Sequence, residues 1–366
     1  MSRLISIFIF TIVCLSCNSA YIESELISFE DMPKKSFKEL PEKILKGIEY
    51  IPLSNDSLKY IFSMPQKILI NGERIYVNDF SNRKLYSYGF SGRPEFVLNK
   101  RGRANGEYLQ ISDFDLDSVG NIWILDGQSD KIIQYSNNGD FLFTSELPFE
   151  ADYIKCLDND RLMFSLAEWD KSSYSDYHII ITDKYFKHNV SLINKTDDRD
   201  PNFQYIPCCG LHNVNNFVYF HKPISDYVYS IDIRDLTHCQ YYFDFGNRKV
   251  PEPARVNTED YIDSFEQYST LSSSIFINKK IIAGGLVDEM QLSSFIVDRE
   301  DNIKYIQEHE FSDMMFFGIS GSKLIYLLRP DASIFPKEMP ENIKDHIAND
   351  GMVMAILSLE LLEKSL

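Results

Sequence analysis

The 366-residue chain is poor in the patterns that mark most enzymes. It has no Gly-x-Ser-x-Gly elbow, no phosphate-binding loop and no dinucleotide fingerprint, so no nucleophile stands paired with a base and no nucleotide cradle is visible. Its histidines (His178, His188, His212, His221, His238, His309 and His346) fall into no His-x-His or His-Glu-x-x-His spacing, so no metal site can be read from a single strand or helix. Basic residues are in deficit: 37 Lys and Arg against 54 Asp and Glu leave a net charge of −17. Nucleic acid and anionic lipid require the opposite balance, and nucleic acid is therefore not an expected partner. The acidic surplus suits a solvated surface or, alternatively, a site for a cation or basic ligand. Six cysteines are few for a disulfide scaffold of this length. After residue 17 no apolar run is long enough to cross a bilayer.

What is present starts at the first residues. Ser2 and Arg3 precede an apolar run, Leu4 to Val13, too short to span a membrane, and then Cys14-Leu15-Ser16-Cys17. This is the layout of a secretory signal. With Ser16 before the cut and Cys17 after it, the stretch resembles the lipobox of bacterial lipoproteins. That resemblance implies that residues 1–16 are removed and that Cys17 becomes a lipidated N-terminus. The mature chain would then be held to a membrane outside the cytoplasm, with the outer membrane expected. An ordinary cleaved signal is the alternative. Residues 17–41 are polar and mixed, with Pro33, Lys34 and Lys35, and read as a spacer between lipid and folded body. Cys14 leaves with the signal, so Cys156, Cys208, Cys209 and Cys239 remain. Buried thiols are expected, with one bridge from Cys208 or Cys209 to Cys156 or Cys239 as the alternative.

From residue 42 the periodicity is that of strands, and a module recurs. Its clearest copy is Ile111 to Phe143. Ser112-Asp113-Phe114-Asp115-Leu116 leads through Asp117-Ser118-Val119-Gly120-Asn121 into Ile122-Trp123-Ile124-Leu125. Ile132-Ile133-Gln134-Tyr135 and the Asn138-Gly139 hairpin turn then precede Phe141-Leu142-Phe143. Second-strand centres near Tyr76, Trp123, Met163, Tyr219, Ile282 and Tyr326 lie roughly 40 to 60 residues apart, the spacing of propeller blades. The pattern predicts an all-β, six-bladed β-propeller of four-stranded antiparallel blades over 42–366, with excursions at 246–271 and 330–349. The last copy lacks a fourth strand, and Ile48-Glu49-Tyr50-Ile51-Pro52-Leu53 lacks a partner. A ring must close or expose raw edges, so strand 48–53 is expected to pair with strand 352–359. Pro52 fits an outer strand, which has a free side.

Lys100-Arg101-Gly102-Arg103-Ala104-Asn105-Gly106-Glu107-Tyr108, followed by Ser112-Asp113-Phe114-Asp115, resembles the signature of the six-bladed β-propeller lipoproteins of unknown function abundant in gut-type bacteria. Ile48 to Leu53, Ser225-Asp226-Tyr227-Val228-Tyr229-Ser230-Ile231 and Asp244-Phe245-Gly246 are similar to further parts of that family. Ala104-Asn105 stands where the family usually has Gly-Pro. The blade pattern is also similar to NHL-repeat propellers. The resemblance implies fold and location, and no activity.

Three sets of residues are candidates for chemistry. Arg101 and Arg103, in a loop that Gly102 and Gly106 allow to turn tightly, have the guanidinium forks to bind a carboxylate or phosphate, with Tyr108 beside them. Alternatively the loop only joins two blades, with an arginine paired to Glu107 or to a blade aspartate. Trp169, Tyr174 and Tyr177 lie in or beside the polar loop Glu168 to Asp176 and offer faces for stacking on a sugar or another flat ligand, unless they pack back on the blade. Asp79 and Asp126 follow equivalent second strands and would ring one channel mouth and bind a divalent cation, unless each accepts hydrogen bonds in its own turn. Trp123 reads as core. The function expected is a membrane-anchored, monomeric binding or scaffold module for a glycan, peptide or protein partner. No cofactor is required by the sequence. The alternative is a metal-dependent propeller enzyme, a lyase or lactonase-like hydrolase, with its site at the central channel.

Overall fold

A computed structural model describes residues 23–54, 62–158, 161–195, 210–307, 314–329 and 339–366. The signal segment, Cys17, Cys208, Cys209 and the first part of the 330–349 excursion lie outside them.

Six antiparallel sheets form the ring. Blades 1 to 5 occupy 65–98, 113–146, 151–194, 211–243 and 269–306, each a meander in chain order. Blade 6 joins Met314–Ser320, Lys323–Leu328 and Met352–Ser358 to Glu49–Leu53 from the other end of the chain. There Ala355 stands opposite Tyr50 and Val353 opposite Pro52, so the ring is latched as expected. In each blade the first strand in the chain lies nearest the axis, against the first strands of other blades.

The local causes are plain in blade 2. Its second strand, Ile122–Asp126, is buried at every position because the sheet is covered on both faces by neighbouring blades. Its outer strand, Phe141–Glu146, faces solvent and is more polar. Gly120 and Gly139, both at φ 86°, make the two turns that a side chain would strain. The apolar clusters lie between blades: Tyr86 and Ile356 in the seam of blades 6 and 1, Tyr135 and Leu98 in that of blades 1 and 2, Trp123 and Phe164 in that of blades 2 and 3.

The spacer assignment needs correction from residue 23 onward. Glu23–Ile27 adds a parallel fifth strand to the outer strand of blade 4, and Lys34–Ser36 does the same on blade 5. Between them Phe29, 3% exposed, packs edge-on to Phe245 and Phe295 at 5.4 and 4.9 Å between ring centres. Lys304 donates to the Phe29 carbonyl at 2.7 Å. Ser36 and Glu39 then form a capping box around a short 3-10 turn, and the helix Glu42–Lys46 leads to the closing strand. The polar residues that suggested a spacer lie on the outer side of a strap around blades 4, 5 and 6.

The 246–271 excursion is shorter than expected, because the first strand of blade 5 begins at Ser269. It holds the helix Glu252–Val256, clamped to blade 4 by the buried Arg255–Asp226 pair at 2.5 Å. Thr258 opens the 3-10 segment Thr258–Gln267 but does not cap it: its hydroxyl donates backwards to the Ala254 carbonyl. The second excursion carries the helix Glu341–Ala348, behind Pro340.

Candidate functional site at the axial mouth

The inner strands of a propeller leave unpaired backbone groups facing the axis. Side chains from neighbouring blades satisfy part of that edge here. Asp113 and Asp115 alternate along the inner strand of blade 2 and so project to one side of it. Asp113 accepts from the Ile154 N–H at 2.9 Å and Asp115 from the Cys156 N–H at 2.6 Å, both on the inner strand of blade 3. Each carboxylate also takes a lysine: Lys67 of blade 1 reaches Asp113 at 2.8 Å and Lys155 of blade 3 reaches Asp115 at 2.7 Å. All four side chains are buried. Burial pushes the Asp113 carboxyl up, and the Lys67 ammonium opposes that push. The two pairs tie blades 1, 2 and 3 from the inside and leave no net charge.

Next to them a cavity of about 290 Å³ opens at the end of the axis where the first turn of each blade lies. Five blades line it: Leu69 to Asn71, Asp115 to Ser118, Lys155 to Leu157, Leu211 to Asn213 and Ile319 to Gly321, with Lys67. His212 is its unusual member. It is 4% exposed, and neither ring nitrogen has a hydrogen-bond partner among the described residues. Its ring stacks on Tyr219 at 5.5 Å and 19°. Burial, then the charges of His221, Lys155 and Lys67, hold its pKa well below the usual imidazole range, so the ring is neutral. It therefore carries one free donor and one free acceptor in a nearly dry place. Among the described residues no group of three or more His, Cys, Asp or Glu is gathered to hold a metal ion.

The residues singled out from the sequence lie elsewhere, and most are structural. Asp79 accepts from the N–H groups of Ser63 and Asn82 at 2.7 and 3.1 Å. Asp126 accepts from Leu109 at 2.8 Å, from Gln110 and Gln128 at 3.2 Å each, and from the Ser129 hydroxyl. Both stand at the opposite end of their sheets from the axial cavity, each closing its own connection. The cation-site reading of this pair is corrected on that ground: their lone pairs are already taken. Tyr108 is wholly buried and anchors its loop: its hydroxyl lies 3.0 Å from both the Leu98 and the Arg83 carbonyl and donates its one proton between them. Among the described residues Glu107 pairs with no arginine; it accepts from the Ala104 N–H at 2.8 Å and fills the space beside Gly102. Arg101 and Arg103 are exposed, and among the described residues neither has an ion pair. The aromatic trio is split: Trp169 is 42% exposed, whereas Tyr174 packs edge-on to Phe149 and accepts from Asn189 at 2.8 Å. Tyr177 is half-buried at the start of its strand, opposite Asn194. Trp123 is core, as expected, with its Nε1–H donating to Asp117 at 3.2 Å. Cys156 is a buried free thiol, and Cys239 is half-buried.

Sequence reasoning missed the axial set of Lys67, Asp113, Asp115, Lys155 and His212. A signal was available: each is a charged or polar residue within the first strand of a blade, with an apolar residue on at least one side.

Comparison with known proteins agrees with the geometry. A protein of Bacteroides fragilis described as exported superposes with a TM-score of 0.68 at 16% identity, over 91% of this chain and 99% of its own. A DUF4221-family protein of Bacteroides vulgatus does so with a TM-score of 0.52 at 9% identity, over 85% and 97%. At these identities the likeness concerns the fold alone. Among curated proteins, a 92-residue stretch is 35% identical to the guanine nucleotide-binding protein alpha-13 subunit of Caenorhabditis briggsae. The chain spans 24% of that relative's length, and so short a match carries nothing for fold or activity. The family described as 6-bladed beta-propeller, DUF5128, matches residues 18–283, and with its blades and latch in view the chain belongs to that family.

Proposed function

We propose that the protein is a non-catalytic binding module outside the cytoplasm, held to a membrane by a lipid on Cys17, with the axial mouth as its ligand seat. The observation that carries the binding role is the cavity itself, lined by five blades at one end of the axis. The exported Bacteroides neighbour and the signal-like N-terminus support the location. No helix among the described residues is long and apolar enough to cross a membrane. The fold begins by Glu23, so the leash from Cys17 reaches about 20 Å at about 3.5 Å per residue. The ring would therefore sit close to the bilayer, blade 4 edge nearest the anchor.

Two measurements test this reading. Metabolic labelling with a palmitate analogue should mark the wild type and not Cys17→Ala; an unlabelled wild type, or equal labelling of both, overturns the anchor. Equilibrium binding of pooled glycans and peptides to purified protein, beside metal analysis, tests the module. A stoichiometric metal with turnover of a pool component overturns the non-catalytic assignment.

A further inference from the structure

The exposed apolar side chains of the ring are unevenly placed. Neighbouring strands of a blade run antiparallel, so its first and third turns lie at one end and its second connection at the other. At the first-turn end, the exposed large apolar residues among those described are Val119, Phe141, Leu142, Tyr185, Val190 and Phe217. All six belong to blades 2, 3 and 4. The chain enters the fold at the same end and in the same sector. Glu23 starts a strand parallel to the outer strand of blade 4 and stands opposite Cys239, just past the third turn of that blade. Cys17 is six residues away, so a lipid there holds this rim, and not the opposite face, within about 20 Å of the bilayer.

The chemistry of the rim suits that neighbour. Phe143 packs edge-on to Tyr185 at 5.8 Å. Lys184 sits over both rings, at 5.5 and 5.4 Å, and Lys187 over Tyr185 at 5.6 Å. Beside them Leu142 and Tyr185 are 50% and 56% exposed. Aromatic bodies with a polar tip, flanked by lysines whose stems lie along apolar surface, are what the headgroup zone of a bilayer favours. The two turns that carry this cluster hold Lys184 and Lys187 against Asp140 and Asp183, and Asp183 accepts from the Tyr185 and Lys187 N–H groups at 2.7 and 3.2 Å. The patch is therefore near neutral. With −17 on the whole chain, an anionic surface would repel the ring, and a zwitterionic one would not.

We infer that the first-turn rim of blades 2 and 3 is a membrane-docking surface: Leu142 and Tyr185, backed by Phe143, enter the headgroup zone of a zwitterionic bilayer, and Lys184 and Lys187 reach its phosphates. This takes the lipid on Cys17 proposed above as the attachment and adds the second contact, which fixes the side of the ring that meets the membrane. Both turns adjoin outer strands, so the ring stands tilted on its margin and does not lie flat over the axial mouth.

Two assays test the inference. The mature chain with Cys17→Ser, which cannot take the lipid, is sedimented with vesicles of phosphatidylcholine and phosphatidylethanolamine. It should bind at millimolar lipid, and the double variant Leu142→Ser, Tyr185→Ser should bind about tenfold more weakly at an unchanged melting temperature, both positions being half exposed. No binding by the parent chain, undiminished binding by the double variant, or binding that requires phosphatidylglycerol overturns the inference. So does a dimer of the parent chain that the double variant abolishes without loss of vesicle binding, which would assign the rim to a second copy. The second assay places the lipidated chain in the same vesicles made with brominated phosphatidylcholine. Tyr185→Trp should gain an emission that the bromine quenches. The wild type should not be quenched, because Trp123 is core and Trp169 follows the second strand of blade 3, at the opposite end. An unquenched Tyr185→Trp variant, or equal quenching of the wild type, overturns the inference. Failed palmitate labelling removes the anchor while the first assay still decides the rim; labelling with both assays negative removes the rim alone.

Discussion

Blades 1, 2 and 3 are tied together on the inside of the ring, by Lys67–Asp113 and Lys155–Asp115, whereas blades 4, 5 and 6 are tied on the outside, by residues 23–53. The inner ties are pairs of charges in a dry place. Each member is satisfied only while its partner stays, so the ties are intolerant of single changes. The outer tie is a run of backbone ladders with an aromatic plug at Phe29. Its strength comes from apolar area and from chain continuity past three blades. The difference shows what each arrangement leaves free. An outer strap fills no space at the axis, while inner charge pairs set the electrostatics of the axial cavity.

The largest effect is expected from breaking an inner tie on one side only. Lys155→Ala leaves Asp115 buried and unpaired and should lower unfolding stability by about 3–5 kcal/mol in urea titration. The double variant Lys155→Met, Asp115→Leu should recover much of that, short of about 1–3 kcal/mol for the Cys156 N–H left without its acceptor. A double variant as unstable as the single one would mean that the pair itself, and not the stranded charge, holds the blades. Cutting the outer tie comes next. Phe29→Ala empties a site among Phe243, Phe245 and Phe295 and should cost about 3 kcal/mol. A loss under about 1 kcal/mol would show the strap to be ornamental.

Acidification should act on the cavity side. The His212 imidazole stays neutral in the fold, while in the unfolded chain it titrates at the ordinary value of about 6.5. Below that pH the unfolded state binds the extra proton. Stability is therefore complete above about pH 7 and falls as the pH drops, by about 1.4 kcal/mol per unit for this one group. His212→Leu should flatten that part of the slope; an unchanged slope would assign it to other groups. The smallest effect belongs to the loop that looked most functional. Arg101→Ala and Arg103→Ala, exposed and without ion pairs among the described residues, should each change stability by less than about 0.5 kcal/mol. A larger loss would show that the loop fastens blades 1 and 2 through its arginines rather than through Tyr108.

The ring was legible in the chain because its signals are local. Asn138-Gly139, the turn at Gly120 and the continuous apolar second strands recur, and a missing fourth strand in the last copy points to an orphan strand at the start. The strap was illegible because a parallel outer strand shares no hairpin with its partner: Glu23 meets Cys239 with most of the chain between them. Its polar outer side and Pro33 then imitate a linker. The axial set was hidden for a related reason. Lys67 and Asp113 are 46 residues apart, Asp115 and Lys155 are 40 apart, and no spacing rule connects them.

By itself, then, the amino-acid order settled strand, turn and blade number, since these depend on residues within a few positions of one another. Only the tertiary structure decided which carboxylates close a turn and which face the axis. In a blade covered on both sides, alternate positions are buried alike, and the two-residue period that normally separates inside from outside no longer does so. Asp126 and Asp115 are both fully buried aspartates of neighbouring strands; one is enclosed by its own connection, the other reaches across to the next blade.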